Sequence, residues 1–311
     1  MMKAHPSIQR VTILILLTIT FSPASAKEFQ WKFNTGDQFL LRIGQSVQQK
    51  VPGPQDQEVT ITADMSIEGL WRVTEKSQQG EMTIEQRFKR LTMSLKMPGQ
   101  NIEVDSADEK SLTNPTGKLF AGMLKQMKDV LIIRKMTSLG KTLETQTRLP
   151  EGSATGAAAI TGMSPDQFNQ MAKDSLLTFP KKNIDQGERW TDTLEMELPN
   201  IGKAKVITEY TYVGSKIADG KTLDLFEGVT KFVSADAAAK DDQEKPAAAS
   251  FTGKGTKTVL FDAVAGRIES VKTEQELVVK QTLFGQSVTI NVKLSGTSTL
   301  KPTTGTSDTK E

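Results

Sequence analysis

Cysteine is absent from this chain of 311 residues, and histidine occurs once, as His5. Without cysteine there is no disulfide, no thiolate nucleophile and no Cys-based zinc site. The lone histidine lies in a segment that reads as a removable leader, so the remaining body has no imidazole either. Ser-His-Asp and Cys-His nucleophile systems and His-ligated metal centres are thereby excluded. Carboxylate, lysine or serine-lysine chemistry remains open, as does binding without chemistry. Long apolar runs are also missing. The one concentrated stretch, Val11 to Phe21, is about half of the ~20 residues that a membrane-spanning helix needs.

That stretch is better explained as the core of a secretory signal. Lys3 and Arg10 provide the positive flank, and Ala24-Ser25-Ala26 provides a small-residue cleavage site. Cleavage after Ala26 is expected, with residues 1–26 as the signal peptide and an exported product, periplasmic or extracellular. No cysteine follows to accept a lipid, and no transmembrane anchor is expected in the mature form. Removing the signal takes away Lys3 and Arg10 and no acid, so the excess of 39 basic over 37 acidic residues vanishes. A neutral body with interspersed signs has no long-range field to attract nucleic acid. No nucleic-acid partner is expected, and no cofactor or metal either.

Most of the body alternates apolar and polar residues with period two, the pattern of strands with one buried face. Phe29, Trp31 and Phe33 share one side. From Val59 to Val73, Val59, Ile61, Ala63, Met65, Ile67, Trp71 and Val73 fall on one face, predicting a long antiparallel strand. Met82, Ile84 and Phe88 begin a further strand in one phase and Leu91, Met93, Leu95 and Met97 finish it in the other, which predicts a bulge near Lys89.

Two segments switch to helical period. Asn114-Pro115 starts one, with Leu119, Phe120, Met123, Leu124 and Met127 as its apolar stripe. Ser164-Pro165 starts the other, ahead of Phe168, Met171, Ala172 and Leu176. The fold expected is α+β, mainly antiparallel β: a curved sheet or half-barrel of two similar halves, with short amphipathic helices packed on it. The first β-rich half is placed at 27–147, a linker and helix at 148–179, the second half at 180–300, and a disordered tail at 301–311.

The two halves carry their signals in a similar order. Phe33-Asn34-Thr35-Gly36-Asp37-Gln38-Phe39 opens one, and Ile184-Asp185-Gln186-Gly187-Glu188-Arg189-Trp190 opens the other. Each half ends in a hairpin about a glycine, around Gly140 and around Gly266. An internal duplication is the expectation. The Gly36 and Gly187 turns, with the Phe261-Asp262-x-x-x-Gly266-Arg267-Ile268 hairpin, resemble an uncharacterised family of secreted bacterial domains with no assigned activity. The likeness spans most of residues 28–300. More distantly, the layout resembles the half-barrels of the LolA/LolB lipoprotein carriers, and that resemblance implies a curved sheet with helices over an apolar face.

Four groups of residues offer chemistry and each has a plainer explanation. Ser138-x-x-Lys141 has serine-lysine spacing but falls at a hairpin tip rather than at the start of a helix. Gly140-Lys141-Thr142 and Gly220-Lys221-Thr222 imitate a phosphate loop but lack its first glycine. Asp37, Glu188 and Asp262 could serve a carboxylate-based hydrolase, yet acids in turns more often bond their own backbone. The acids at Asp236, Asp241, Asp242 and Glu244 lack the alternating spacing of a calcium loop.

Methionines and large aromatics give the positive signal, because methionine lines surfaces that adapt to varied apolar ligands. The expected lining is Trp71, Met93, Phe120, Met123, Met127, Phe168 and Met171. The expected function is a non-catalytic exported binding module for a lipid or other apolar small molecule. The alternative is an envelope or extracellular protein whose partner is another envelope protein.

Overall fold

The computed structural model describes residues 26–52, 57–113, 117–118, 121, 130–148, 176–198, 202–234, 250–283 and 286–303. They form one open, curved antiparallel sheet of twelve strands. The strands are β1 (Gln38–Pro52), β2 (Glu58–Lys76), β3 (Met82–Met97), β4 (Gln100–Asp105), β5 (Leu131–Met136), β6 (Thr142–Arg148), β7 (Arg189–Leu198), β8 (Gly202–Ala218), β9 (Lys221–Ser234), β10 (Ser250–Asp262), β11 (Arg267–Leu283) and β12 (Gln286–Pro302). A five-residue helix, α1 (Glu109–Thr113), lies between β4 and β5.

The order across the sheet is β6-β5-β3-β2-β1-β12-β11-β10-β9-β8-β7, with β4 paired to β3. The chain meanders outward from β1 to one edge, and later returns from β7 inward to β12. The first and last strands therefore meet in the middle, with Phe39 opposite Pro302 and Lys50 opposite Asn291. This pairing overturns the start of the expected tail: Lys301 and Pro302 are strand residues, and Thr303 donates its amide to the Gln38 carbonyl at 3.0 Å. A polar end composition hid this, because β1 supplies ladder partners regardless of side chain.

The bulge in β3 falls at the expected place. Glu68 faces Arg90 and the next pair is Gly69 with Phe88, so Lys89 is the extra residue. It lets both apolar phases of β3 face the same side.

That inner face is closed at one end by an aromatic core. Phe29, Trp31 and Phe33 were expected to form a strand, but they form an extended segment outside the sheet. Its backbone bonds hairpin tips instead of a ladder: Trp31 N–H donates to the Ser138 carbonyl at 2.7 Å and Lys32 N–H to the Gly266 carbonyl at 2.9 Å. Alternation is preserved because Phe29, Trp31 and Phe33 point inward, at 1%, 2% and 0% exposure.

A second extended segment, through Leu177 and Phe179, lies beside it. Phe179 N–H reaches the Leu139 carbonyl at 2.8 Å, and Lys27 and Ile184 form a two-way backbone bridge. Phe29 stacks on Phe179 at 5.5 Å and meets Phe226 edge-on at 5.0 Å, while Trp31 meets Phe261 at 5.7 Å. Burying each such ring is worth about 2–3 kcal/mol, and the edge contacts add to it.

The two glycine-acid turns have the same bonding. Gly36 N–H donates to the Val73 carbonyl at 2.8 Å, and Gly187 N–H to that of Tyr212 at 2.7 Å. Val73 N–H returns a bond to Asp37, and Tyr212 N–H to Glu188. Of the helix expected from Pro115, Gly117, Lys118 and Ala121 are described and are helical, while its apolar stripe lies outside the described residues; of the stripe expected after Pro165 only Leu176 is described, and it is buried in the core.

Candidate ligand-binding face

Residues directly opposite one another in an antiparallel ladder share a face, so the register draws rows across the inner side. Nearest the core runs a row through Tyr212, Phe226, Val259 and Val271 to Ser298, Ile43 and Ile67. The next row passes from Tyr210 through Gly228, Lys257, Thr273 and Gly296 to Gln45, Met65 and Met93. A third runs from Thr208 and Thr230 through Gly255 and Gln275 to Leu294, Val47 and Leu95 by way of Ala63. Towards the far end, Leu277, Val279, Ile290 and Ile61 make the face apolar again, and all four are half-buried.

The middle of this face thus divides in two. On β8 to β11 it is polar and small, with threonines, glycines, Gln275 and, among the described residues, the single cation Lys257. On β2 to β4 it is apolar: Leu91, Ile102 and Val104 are buried, with Met65, Ile67, Met93, Leu95, Met97 and Leu112 of α1 packed against them. A hollow of about 240 Å³ lies between the two parts, over Ile43, Gln45, Thr273, Gln275, Leu294 and Gly296. A larger one of about 670 Å³ lies mainly over the opposite face, among Ser46, Thr62, Lys254, Glu276 and Lys293. Its charges satisfy one another, with Glu276 3.9 Å from Lys254 and 3.5 Å from Lys293.

Of the residues expected to line a ligand site, Trp71 belongs to the closed core at 4% exposure. Its Nε1–H donates to Gln86 Oε1 at 2.9 Å, and the Arg134 guanidinium lies 5.7 Å from its ring. Met93 is half-buried in the methionine strip. Phe120, Met123, Met127, Phe168 and Met171 lie outside the described residues. Lys257 escaped sequence reasoning, since a lysine amid threonines looks like any solvated strand position; only cross-strand register singles it out.

The acids in the turns bond their own backbone: Asp37 accepts from Asn34 N–H at 2.7 Å, Glu188 from Asp185 N–H at 2.9 Å and Asp262 from Ala265 N–H at 2.8 Å. Ser138 and Lys141 sit in the β5–β6 hairpin turn, not on a helix. Asp236, Asp241, Asp242 and Glu244 are outside the described residues. Among the described residues, no three acids or histidines come together as a metal-binding group.

A different serine-lysine contact does occur. Lys27 Nζ donates to Ser215 Oγ at 2.7 Å and to Asp224 Oδ1 at 2.8 Å, and Tyr212 Oη donates to the same oxygen at 2.6 Å. Burial pulls the Lys27 pKa down, but its hydrogen bond and ion pair with Asp224 outweigh this and hold it above the ordinary value. Burial, then the bond to Asp224, pushes Tyr212 up as well. A lysine kept as an ammonium cannot take the serine proton, so the cluster works as a clamp that neutralises a buried carboxylate.

The sequence matches no family model and no curated protein. Several solved structures are similar in shape. A chain described under lipid-protein interactions in lipovitellin aligns over 90% of this chain at 11% identity and a TM-score of 0.48; the alignment spans 27% of lipovitellin. A Bacteroides fragilis protein described as exported, with a YmcC-like fold, aligns over 90% of this chain and 100% of its own at 10% identity, TM-score 0.30. A domain described as outer-membrane lipoprotein-sorting, from Vibrio parahaemolyticus, covers 86% of this chain and 87% of its own at 8% identity, TM-score 0.15. None of these scores establishes a shared fold. Among the described residues, no helix is long and apolar enough to cross a membrane.

Proposed function

We propose that this protein is an exported, non-catalytic binding module that holds an apolar ligand on the inner face of its sheet, beyond the aromatic core. One observation carries the reading: the strip of Met65, Met93, Leu95 and Met97 continues the apolar face past the core yet remains only half-buried. Methionine adapts its unbranched side chain to ligands of varied shape. The leader-like segment ending at Ala26 supports export, and the like turns at Gly36 and Gly187 support reading the halves as copies.

Native mass spectrometry of protein extracted gently from its source cells tests the reading. A retained apolar molecule of defined mass supports it; a bare protein whose methionine strip is inaccessible to an oxidant sinks it. The second reading, an envelope or extracellular interaction protein, draws on the 670 Å³ hollow of the opposite face. Co-purification of a stoichiometric protein with a bare inner face would favour it.

A further inference from the structure

We propose that the inner face is built for an anionic amphiphile, with the charged head on Lys257 and the chain lying across β11, β12 and β1 towards Met65 and Met93. The proposal rests on the apolar-ligand reading above and adds the ligand's charge and placement. Lys257 is half-buried on the inner side. Its Nζ donates to Tyr210 Oη at 3.1 Å and lies 5.7 Å from that ring's centre. Among the described residues no carboxylate stands within 4.0 Å of it, whereas Lys254, Lys272 and Lys293 on the opposite face all have glutamate partners. A half-buried ammonium without a counter-charge is electrostatically costly, and a carboxylate or phosphate relieves that cost with a charge-assisted hydrogen bond.

The surroundings suit a head group. Gly228 stands beside Lys257, and Gly255 two residues before it on the same face is overlaid by Gln275, while Thr273 and Gln275 add polar partners. Further along the row of Lys257, beyond Gly296 and Gln45, lie Met65 and Met93. Four interstrand steps separate β10 from β2, about 19 Å at ~4.8 Å per step. The 240 Å³ hollow lies on this path. A polar cationic end and an apolar end at that separation fit an extended acyl chain with an acidic head, and fit a compact neutral ligand poorly.

Titration calorimetry of the purified protein with laurate, dodecyl phosphate, monolauroylglycerol and dodecyltrimethylammonium tests this. One or both anions should bind about tenfold more tightly than the neutral ester, with the cation weakest; whether laurate or the phosphate leads tells a carboxylate head from a phosphate head. Lys257→Met should remove that tenfold preference while leaving monolauroylglycerol unchanged, and Met93→Glu should weaken all four. Thermal melts monitor folding, and Lys257→Gln replaces the methionine variant if the latter melts early. Equal binding of anion and neutral ester, or a preference that survives Lys257→Met, overturns the head-group assignment alone. No binding of any of the four overturns it together with the apolar-ligand reading.

Discussion

Alanine at Gly140 and alanine at Gly36 differ in only one respect that matters, and the difference measures how firmly the extended segments hold the sheet end. Both glycines are left-handed, with φ of 87° and 93°, so a side chain costs either about 1–2 kcal/mol in backbone strain. At Gly36 nothing lies within 4 Å of an added Cβ, and strain is the whole cost. At Gly140 the Cβ would overlap the Leu177 carbonyl oxygen and come within 2.7 Å of Trp31 Nε1. The 3.0 Å bond from Trp31 Nε1–H to Leu177 must then break. An orphaned buried carbonyl costs about 1–3 kcal/mol, and loosened packing around Trp31 adds part of the ~3–5 kcal/mol that losing a large core aromatic entails. Gly140→Ala should therefore lose about 3–5 kcal/mol against about 1–2 for Gly36→Ala. Urea titration followed by circular dichroism, with m-values compared, reads the difference. Coincident midpoints for the two variants would refute the docking of Trp31 and Leu177 against the hairpin tip.

Three further outcomes follow from the same geometry. Asp224→Asn should cost about 1–2 kcal/mol in urea titration, and Asp224→Leu distinctly more, because the leucine leaves the buried Tyr212 hydroxyl without its 2.6 Å partner. Lys27 and Tyr212 both have raised pKa values in the fold, so the stability they contribute is complete below their ordinary values and is lost as pH rises past them; the urea midpoint should fall between about pH 9 and about pH 11, less so in Asp224→Asn. Deleting Lys89 should be tolerated with a loss of about 1–2 kcal/mol because it removes the bulge residue and keeps both apolar phases inward, whereas deleting Thr92 turns half the strand to the wrong face and should prevent folding, as size-exclusion chromatography of the two variants would show.

The candidate site was partly legible in the sequence and partly not. Met93 stood out because methionines recur at even spacing in a strand-like run. Trp71 stood out for its size alone, and size could not distinguish a ligand wall from a core residue; at 4% exposure it is packed in the core, bonded to Gln86. Lys257 gave no local signal.

Alternation by itself determined which side of each strand is buried, the phase change that Lys89 absorbs, and the inward direction of Phe29, Trp31 and Phe33, because side-chain period is a property of the backbone next to it. The missing cysteine by itself excludes disulfides, thiolate nucleophiles and Cys-based zinc sites. Only the tertiary structure decided that β1 pairs with β12, that the aromatic segment caps hairpin tips instead of joining the ladder, and that Lys257 shares a row with Met65 and Met93. Those are contacts between residues far apart in the chain, and they are selected by how the whole sheet buries its apolar face, a sum over all twelve strands that no local window contains.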